Sequence, residues 1–293
     1  MDERNLSAED FQAHRAHLRG VAYRMLGSLS EAEDAVQEAW LHLSRADTRD
    51  VANPRGWLTT VVARVCLDFL RTRKSRREEP EDEQGADPFT PRTDGSTPEQ
   101  EALMADSVGV ALLVVLDALN PPERIAFVLH DLFSMSFDEI APIVGRNAAA
   151  TRQLASRARR RVHGAALSPD ADLSRQHEVV SAFLAASRGG DLDALLAVLD
   201  PDVVVRTDMK LPPGAPREVH GARNVANQAR LHAARARVSQ IALIDGQVGV
   251  VVAPRGRLHS VLLFTVVEGR IRALETVFDP AALGQLGVSV FPT

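Results

Sequence analysis

The apolar positions Leu58, Val61, Val62, Val65, Cys66 and Phe69 recur at three- and four-residue spacing, the period of one buried helix face. Asn53 can cap that helix, and Pro54 suits its first position, where no intrahelical amide bond is lost. Upstream, the pattern predicts a helix over about 8–26 that ends near Gly27. A second starts at Ser30, whose capping box closes with Glu33, and runs to about 44. After an aperiodic stretch, helices are predicted over roughly 101–119 and 122–132, separated by the Asn120, Pro121, Pro122 break. Ser136 and Glu139 then form another capping box before Ile140, Ile143 and Val144, and Gly145 supplies a turn. Asn147 caps a following helix that extends to about 163.

From 173 the pattern changes in kind. Helices near 173–188 and 192–199 flank a Gly-Gly-Asp turn, and a strand over 202–207 and a helix near 222–235 follow. Strands are then predicted over 238–244, 247–252, 258–267 and 270–278. Asp245 with Gly246, and Glu268 with Gly269, stand where tight hairpins need residues tolerant of positive φ. Helices followed by a run of antiparallel strands indicate an α+β cone. The expected fold class is therefore multidomain: two all-α domains and a C-terminal α+β domain.

Charge sharpens this division. The chain of 293 residues carries a formal charge of -5, which argues against nucleic-acid binding until it is resolved locally. The helix after Asn147 holds Arg152, Arg157, Arg159, Arg160 and Arg161 with no acid. A short capped helix, a tight turn and a basic second helix form a helix-turn-helix, whose second helix enters the major groove. Residues 64–77 hold six bases against Asp68, whereas 78–106 hold ten acids against Arg92. The latter stretch, rich in Pro, Gly and Thr up to 98, reads as an acidic linker.

One cysteine, Cys66, excludes an intrachain disulfide and a cysteine-rich zinc site, and its place on the apolar stripe marks it as core. The charged N-terminus has no signal-peptide run, and no apolar stretch reaches membrane-spanning length. The expectation is a cytoplasmic protein with no membrane partner, metal or cofactor.

Taken in order, LRGVAYRMLGSLSEAEDAVQEAWLHL, PRGWLTTVVARVCLDFLRTRKSRR and LNPPERIAFVLHDLFSMSFDEIAPIVG with its Arg-rich helix resemble the extracytoplasmic-function (ECF) sigma factors of the sigma-70 superfamily. The resemblance implies sigma region 2 over 1–77, a linker over 78–98 and sigma region 4 over 99–166. It implies two partners, RNA polymerase core enzyme (β′ clamp and β flap) and promoter DNA. Asp34, Gln37, Glu38 and Leu41 would meet the clamp. Asn53, Arg55, Arg64, Asp68, Arg71, Arg73, Lys74, Arg76 and Arg77 would serve the −10 element. Asn147, Ala149, Thr151, Arg152, Gln153, Ser156, Arg157 and Arg160 would serve the −35 element. Among these, Arg152 and Gln153 suit base edges, since a guanidinium pairs with guanine and an amide with adenine.

GDLDALLAVLDPDVVVRTD and IDGQVGVVV resemble the SnoaL-like, NTF2-like domain fused to a subgroup of these factors, here over 173–293. That resemblance implies a domain that regulates in cis by docking on the sigma domains, without a separate anti-sigma factor. Asp208 and His259 are the candidate pocket residues should the cone bind a ligand. The alternative is a stand-alone helix-turn-helix regulator with a ligand-sensing or enzymatic NTF2-like domain. No catalytic residue is expected.

Overall fold

The computed structural model describes residues 6–77, 109–164, 171–208 and 217–291. The acidic 78–98 segment and the front of the helix expected from 101 lie outside the described residues. The chain divides into two compact units, Met1–Glu101 with Leu116–Arg159, and Ala102–Val115 with Arg160–Thr293.

In the first unit, α1 (Ala8–Leu26) begins at a capping box between Ser7 and Asp10 and stops where Gly27 takes a φ of 75°. The cap of α2 (Leu29–Leu43) is Ser28 rather than Ser30, so the helix starts two residues earlier than expected. Glu33 is thereby free to pair with Arg15 and Arg19 of α1, each at 3.1 Å. The predicted stripe of α3 (Pro54–Arg77) is buried at Leu58, Val62 and Cys66 against α1 and α2. Its far end packs on α5 (Pro121–Phe127) and α6 (Phe137–Val144).

Helix α4 (Val110–Asp117) precedes α5, which passes into a single π-helical turn, Val128–Leu132, where one continuous helix was expected. The predicted helix-turn-helix is present. Ser136 and Glu139 close their capping box, Gly145 has a φ of 69°, and Asn147 Oδ1 accepts from the Ala150 amide at 2.8 Å to start α7 (Ala148–His163). The division between the units falls inside α4 and inside α7.

The second unit contains α8 (Ala171–Gly189), α9 (Leu192–Val198), α10 (Ala222–Leu231), α11 (Ala233–Arg237) and α12 (Pro280–Leu283). One helix expected near 222–235 is thus two, parted at His232. Among the described residues, seven strands form one sheet: β1 (Leu199–Thr207), β2 (Glu218–His220), β3 (Ser239–Ile244), β4 (Gln247–Val252), β5 (Ser260–Val267), β6 (Arg270–Val277) and β7 (Val288–Ser289). Their order is β2-β1-β6-β5-β4-β3-β7. The expected antiparallel run holds for β3 to β6, but β1 pairs parallel to β6, because the whole α10–β5 segment crosses over between them. Both hairpins carry positive φ at their two central residues, 51° and 83° at Asp245 and Gly246, 50° and 76° at Glu268 and Gly269.

The sheet is buried on both faces. Val180, Phe183 and Leu184 of α8 pack on Leu243, Val250, Phe264 and Leu274. Ala242, Ile244, Val251 and Val261 on the opposite face meet Val110, Ala111 and Val114 of α4. Gln240 of β3 completes this contact by accepting from the Ala111 amide at 2.8 Å, which satisfies an otherwise unpaired donor of the first turn of α4. Gly249 is confined by the same packing, since a Cβ there would lie 2.5 Å from Ile244 Cδ1 and 2.9 Å from the Leu262 carbonyl oxygen.

Candidate nucleic-acid interface

Helix α7 reads out its roles by phase. Thr151, Ala155, Ala158 and Val162 are buried at 2% exposure or less, four positions along one stripe. Thr151, expected on the reading face, is buried: its hydroxyl donates to the Asn147 carbonyl at 2.9 Å, inside the domain. Ala149, Arg152, Gln153, Ser156 and Arg160 are exposed. The Arg152 guanidinium sits 5.2 Å from the Phe137 ring centroid, a cation–π contact that holds it near the start of the helix. Arg157 donates from Nε to the buried Glu123 at 2.7 Å, and Arg159 pairs with Asp131 at 2.6 Å. These two arginines brace α7 against α5 and the π turn, and both keep about half of their side-chain surface. Bonds from Ser136 to the Glu139 carboxylate hold it below the usual range, so the cap stays charged at neutral pH.

On α3, Arg64, Asp68 and Arg71 lie on one exposed face, with Asp68 and Arg71 3.5 Å apart. Asn53 is exposed and accepts from the Gly56 amide at 3.0 Å. Arg55 donates to His17 Nδ1 at 3.1 Å, while His17 Nε2 lies 3.2 Å from the Thr59 hydroxyl. The side chains of Arg76 and Arg77 lie outside the described residues.

Arg73, of the set expected at the −10 element, is held within the first unit. Its side chain is 15% exposed, donates to the Leu26 carbonyl at 3.1 Å, pairs with Glu31 and reaches Asp117 at 3.8 Å. Asp117 also pairs with Arg124 at 3.3 Å. Arg124 is 2% exposed, and its Nε has no hydrogen-bond partner among the described residues. Burial pushes its guanidinium down to about 10 against the opposing pull of Asp117. Lys74 Nζ lies 3.5 Å from Asn120 Oδ1. Spacing alone offered no sign of Asp117 or Arg124, which come from a distant part of the chain. Burial likewise raises the Cys66 thiol pKa, consistent with a core residue.

On α2, Glu31 and Glu33 are occupied by Arg73, Arg15 and Arg19. Asp34, Gln37, Glu38 and Leu41 remain exposed at i, i+3, i+4 and i+7, one face of the helix. Beside them a groove of about 310 Å³ runs between α1 and α2, with Phe11 and Trp40 edge to face at 5.1 Å.

His17 also stands edge-on to Phe133, ring centroids 5.4 Å apart. Burial first, then the charges of Arg55, His14 and Arg24, lower its pKa from 6.5. The unfolded chain takes up this proton first, so the contribution is complete above about pH 6.5 and is lost as the pH falls through the lower folded value. The melting temperature of His17→Gln is expected to fall less than that of the parent between about pH 7 and pH 5. Equal losses would show that His17 is not held neutral by the fold.

Asp208 and His259 both belong to the second unit. The exposed Asp208 carboxylate accepts from the Phe278 and Asp279 amides at 2.7 and 3.2 Å, tying down the turn into α12. His259 stands edge-on to the Phe278 ring, centroids 5.7 Å apart. Within the cone, Phe183 and Phe264 meet edge to face at 5.5 Å. Among the described residues no cluster of three metal-ligating side chains occurs, and no helix is long and apolar enough to cross a membrane.

Two family models match the chain, Sigma-70 region 2 over residues 11–76 and Sigma-70, region 4 over residues 109–162. The ECF RNA polymerase sigma factor SigJ of Mycobacterium tuberculosis (strain H37Rv) is 38% identical, covering 94% of this chain and 92% of its own length. The probable ECF RNA polymerase sigma factor SigI of the same species (strain CDC 1551) is 35% identical, covering 94% of both. A crystal structure of the M. tuberculosis SigJ aligns at 34% identity over 95% of this chain and 99% of that one, with a TM-score of 0.44.

Proposed function

The chain belongs to the ECF RNA polymerase sigma factors, and from this premise we propose how its parts divide promoter recognition. Asp34, Gln37, Glu38 and Leu41 engage the β′ clamp of core polymerase. The exposed face of α3 with Arg64, Asp68 and Arg71, together with Asn53 and Arg55 at the start of the helix, serves the −10 element. Arg152, Gln153 and Ser156 read base edges at the −35 element, with Ala149 beside them, while Asn147 sets the start of the helix. Arg157 and Arg160 supply phosphate contacts, which position the domain without reading sequence. Region 4 also contacts the β flap.

The C-terminal domain modulates this activity in cis, in place of a separate anti-sigma factor. Val110, Ala111 and Val114, at the start of the matched region 4 segment, pack on its sheet, so a shift of that sheet acts directly on region 4. Asp208 is occupied by backbone amides, which favours regulation over turnover in this domain.

The observation that carries the reading is the exposed stripe Asp34, Gln37, Glu38 and Leu41, where Glu38 meets His42 of its own helix at 3.6 Å, beside two acids held by arginines of other helices. Asp34→Lys with Glu38→Lys is expected to abolish co-purification with core polymerase and promoter-specific transcription by the full chain. A stand-alone repressor would keep its DNA binding and show no dependence on core enzyme. Unchanged polymerase binding by the double variant sinks the assignment of this face.

A further inference from the structure

We propose that Arg73 works in two positions: Asp117 and Glu31 hold it in the free chain, and a promoter phosphate replaces them when DNA is engaged. Asp117 is then an internal competitor for DNA, a brake built into the contact between α3 and the α4–α5 connection. This rests on the reading of α3 as the −10 helix and adds a residue pair that controls access to it.

Three features of the first unit carry the inference. Arg73 belongs to the basic end of α3 yet is 15% exposed, whereas Arg71, two residues earlier, is 56% exposed. A guanidinium whose two terminal nitrogens are already shared among the Leu26 carbonyl, Glu31 and Asp117, and whose side chain is 15% exposed, makes carboxylate and phosphate compete for the same donors. Second, the exchange strands no charge. If Arg73 leaves, Asp117 keeps Arg124 at 3.3 Å, and Glu31, with a third of its side chain exposed, is solvated.

Third, the neighbouring contacts that hold α5 and the π turn to α1 and α3 are of a separable kind. Lys74 meets Asn120 at 3.5 Å, and Phe133 is held by His17 and by Arg24, whose guanidinium lies 5.4 Å from the ring centroid. Polar pairs and ring edges exchange for water and DNA more readily than a continuous apolar seal, because their separated groups are well solvated.

The test uses the full chain carrying His17→Cys and Phe133→Cys, joined by a short thiol crosslinker that a reductant cleaves. Cys66 is buried and stays unlabelled in the folded protein. With core polymerase and a promoter library, the crosslinked chain is expected to lose more than about tenfold in specific transcripts, because its competent state is no longer populated. Cleavage restores them. Equal transcription before and after cleavage overturns the brake. Silence in both states, against an active parent chain, overturns the brake together with the reading of α3 on which it rests.

A second arm locates the brake at Arg73. Asp117→Asn keeps an acceptor for Arg124 while removing the competing charge. Binding of a promoter duplex identified from the library is expected to tighten roughly fivefold, with a salt slope steeper by about one. Arg73→Gln in the same background cancels both gains. A folded Asp117→Asn with parental affinity and slope overturns the assignment to Arg73.

Discussion

Asp117→Ala is expected to lower the unfolding free energy of the chain by about 3–5 kcal/mol, read as a shift of the urea midpoint of the first unit. The magnitude follows from what the substitution leaves behind. Arg124 is 2% exposed, already lacks a partner at Nε, and has Asp117 as its carboxylate at 3.3 Å. Without that carboxylate its nearest charged neighbour in the cluster is Arg73, which opposes its ionisation. A buried cation beside a like charge must either lose its proton or draw water into the core, and both cost several kcal/mol. Glu31→Ala is the internal comparison. Glu31 is about one-third exposed, and its removal costs about 1 kcal/mol or less. If the two variants unfold together, Arg124 is reached by solvent and the cluster is not a buried one.

Arg152→Ala is expected to cost about 1–3 kcal/mol in discrimination at the base pair it reads, roughly 5- to 150-fold, with little effect on fold stability. The Phe137 ring holds the guanidinium at the N-terminal end of α7, and the helix is capped by Asn147 and braced through Glu123 and Asp131. Removing a side chain from so fixed a frame removes a contact rather than a domain. Competition binding with single-base variants of the −35 site measures the effect. Arg160→Ala should instead weaken all sites alike and flatten the salt dependence by about one phosphate's share. Thr151→Val is the decisive companion: with its hydroxyl buried and bonded to Asn147, it should leave base preference unchanged. Altered preference would return Thr151 to the reading face.

These outcomes separate what local sequence encodes from what it does not. The helix-turn-helix was legible because its caps and turn are contacts within three or four residues, Ser136 with Glu139 and Asn147 with Ala150. The burial of Thr151, placed with the −35 set for its polarity, goes with its phase instead, since it shares the stripe of Ala155 and Ala158. Arg71 and Arg73 look alike in sequence. Leu26, Glu31 and Asp117, each more than forty residues from Arg73, leave one a surface charge and draw the other into a largely covered cluster. The parallel pairing of β1 with β6 is non-local for the same reason. One long-range fact did leave a trace: β4 reads Val-Gly-Val-Val-Val without alternation, the pattern of a strand covered on both sides. The sequence does not say that α4 supplies the cover.

That cover bears on how such a chain can be gained or lost in evolution. Deleting the C-terminal domain, or exchanging it for another, would leave Val110, Ala111 and Val114 facing water and the Ala111 amide without Gln240. A lineage that shed the domain would have to repaint those three positions with polar residues, and a lineage that acquired it would have to do the reverse. The fusion is therefore a joint inheritance: the sheet at one end of the gene and a single turn of helix near its middle can drift only together.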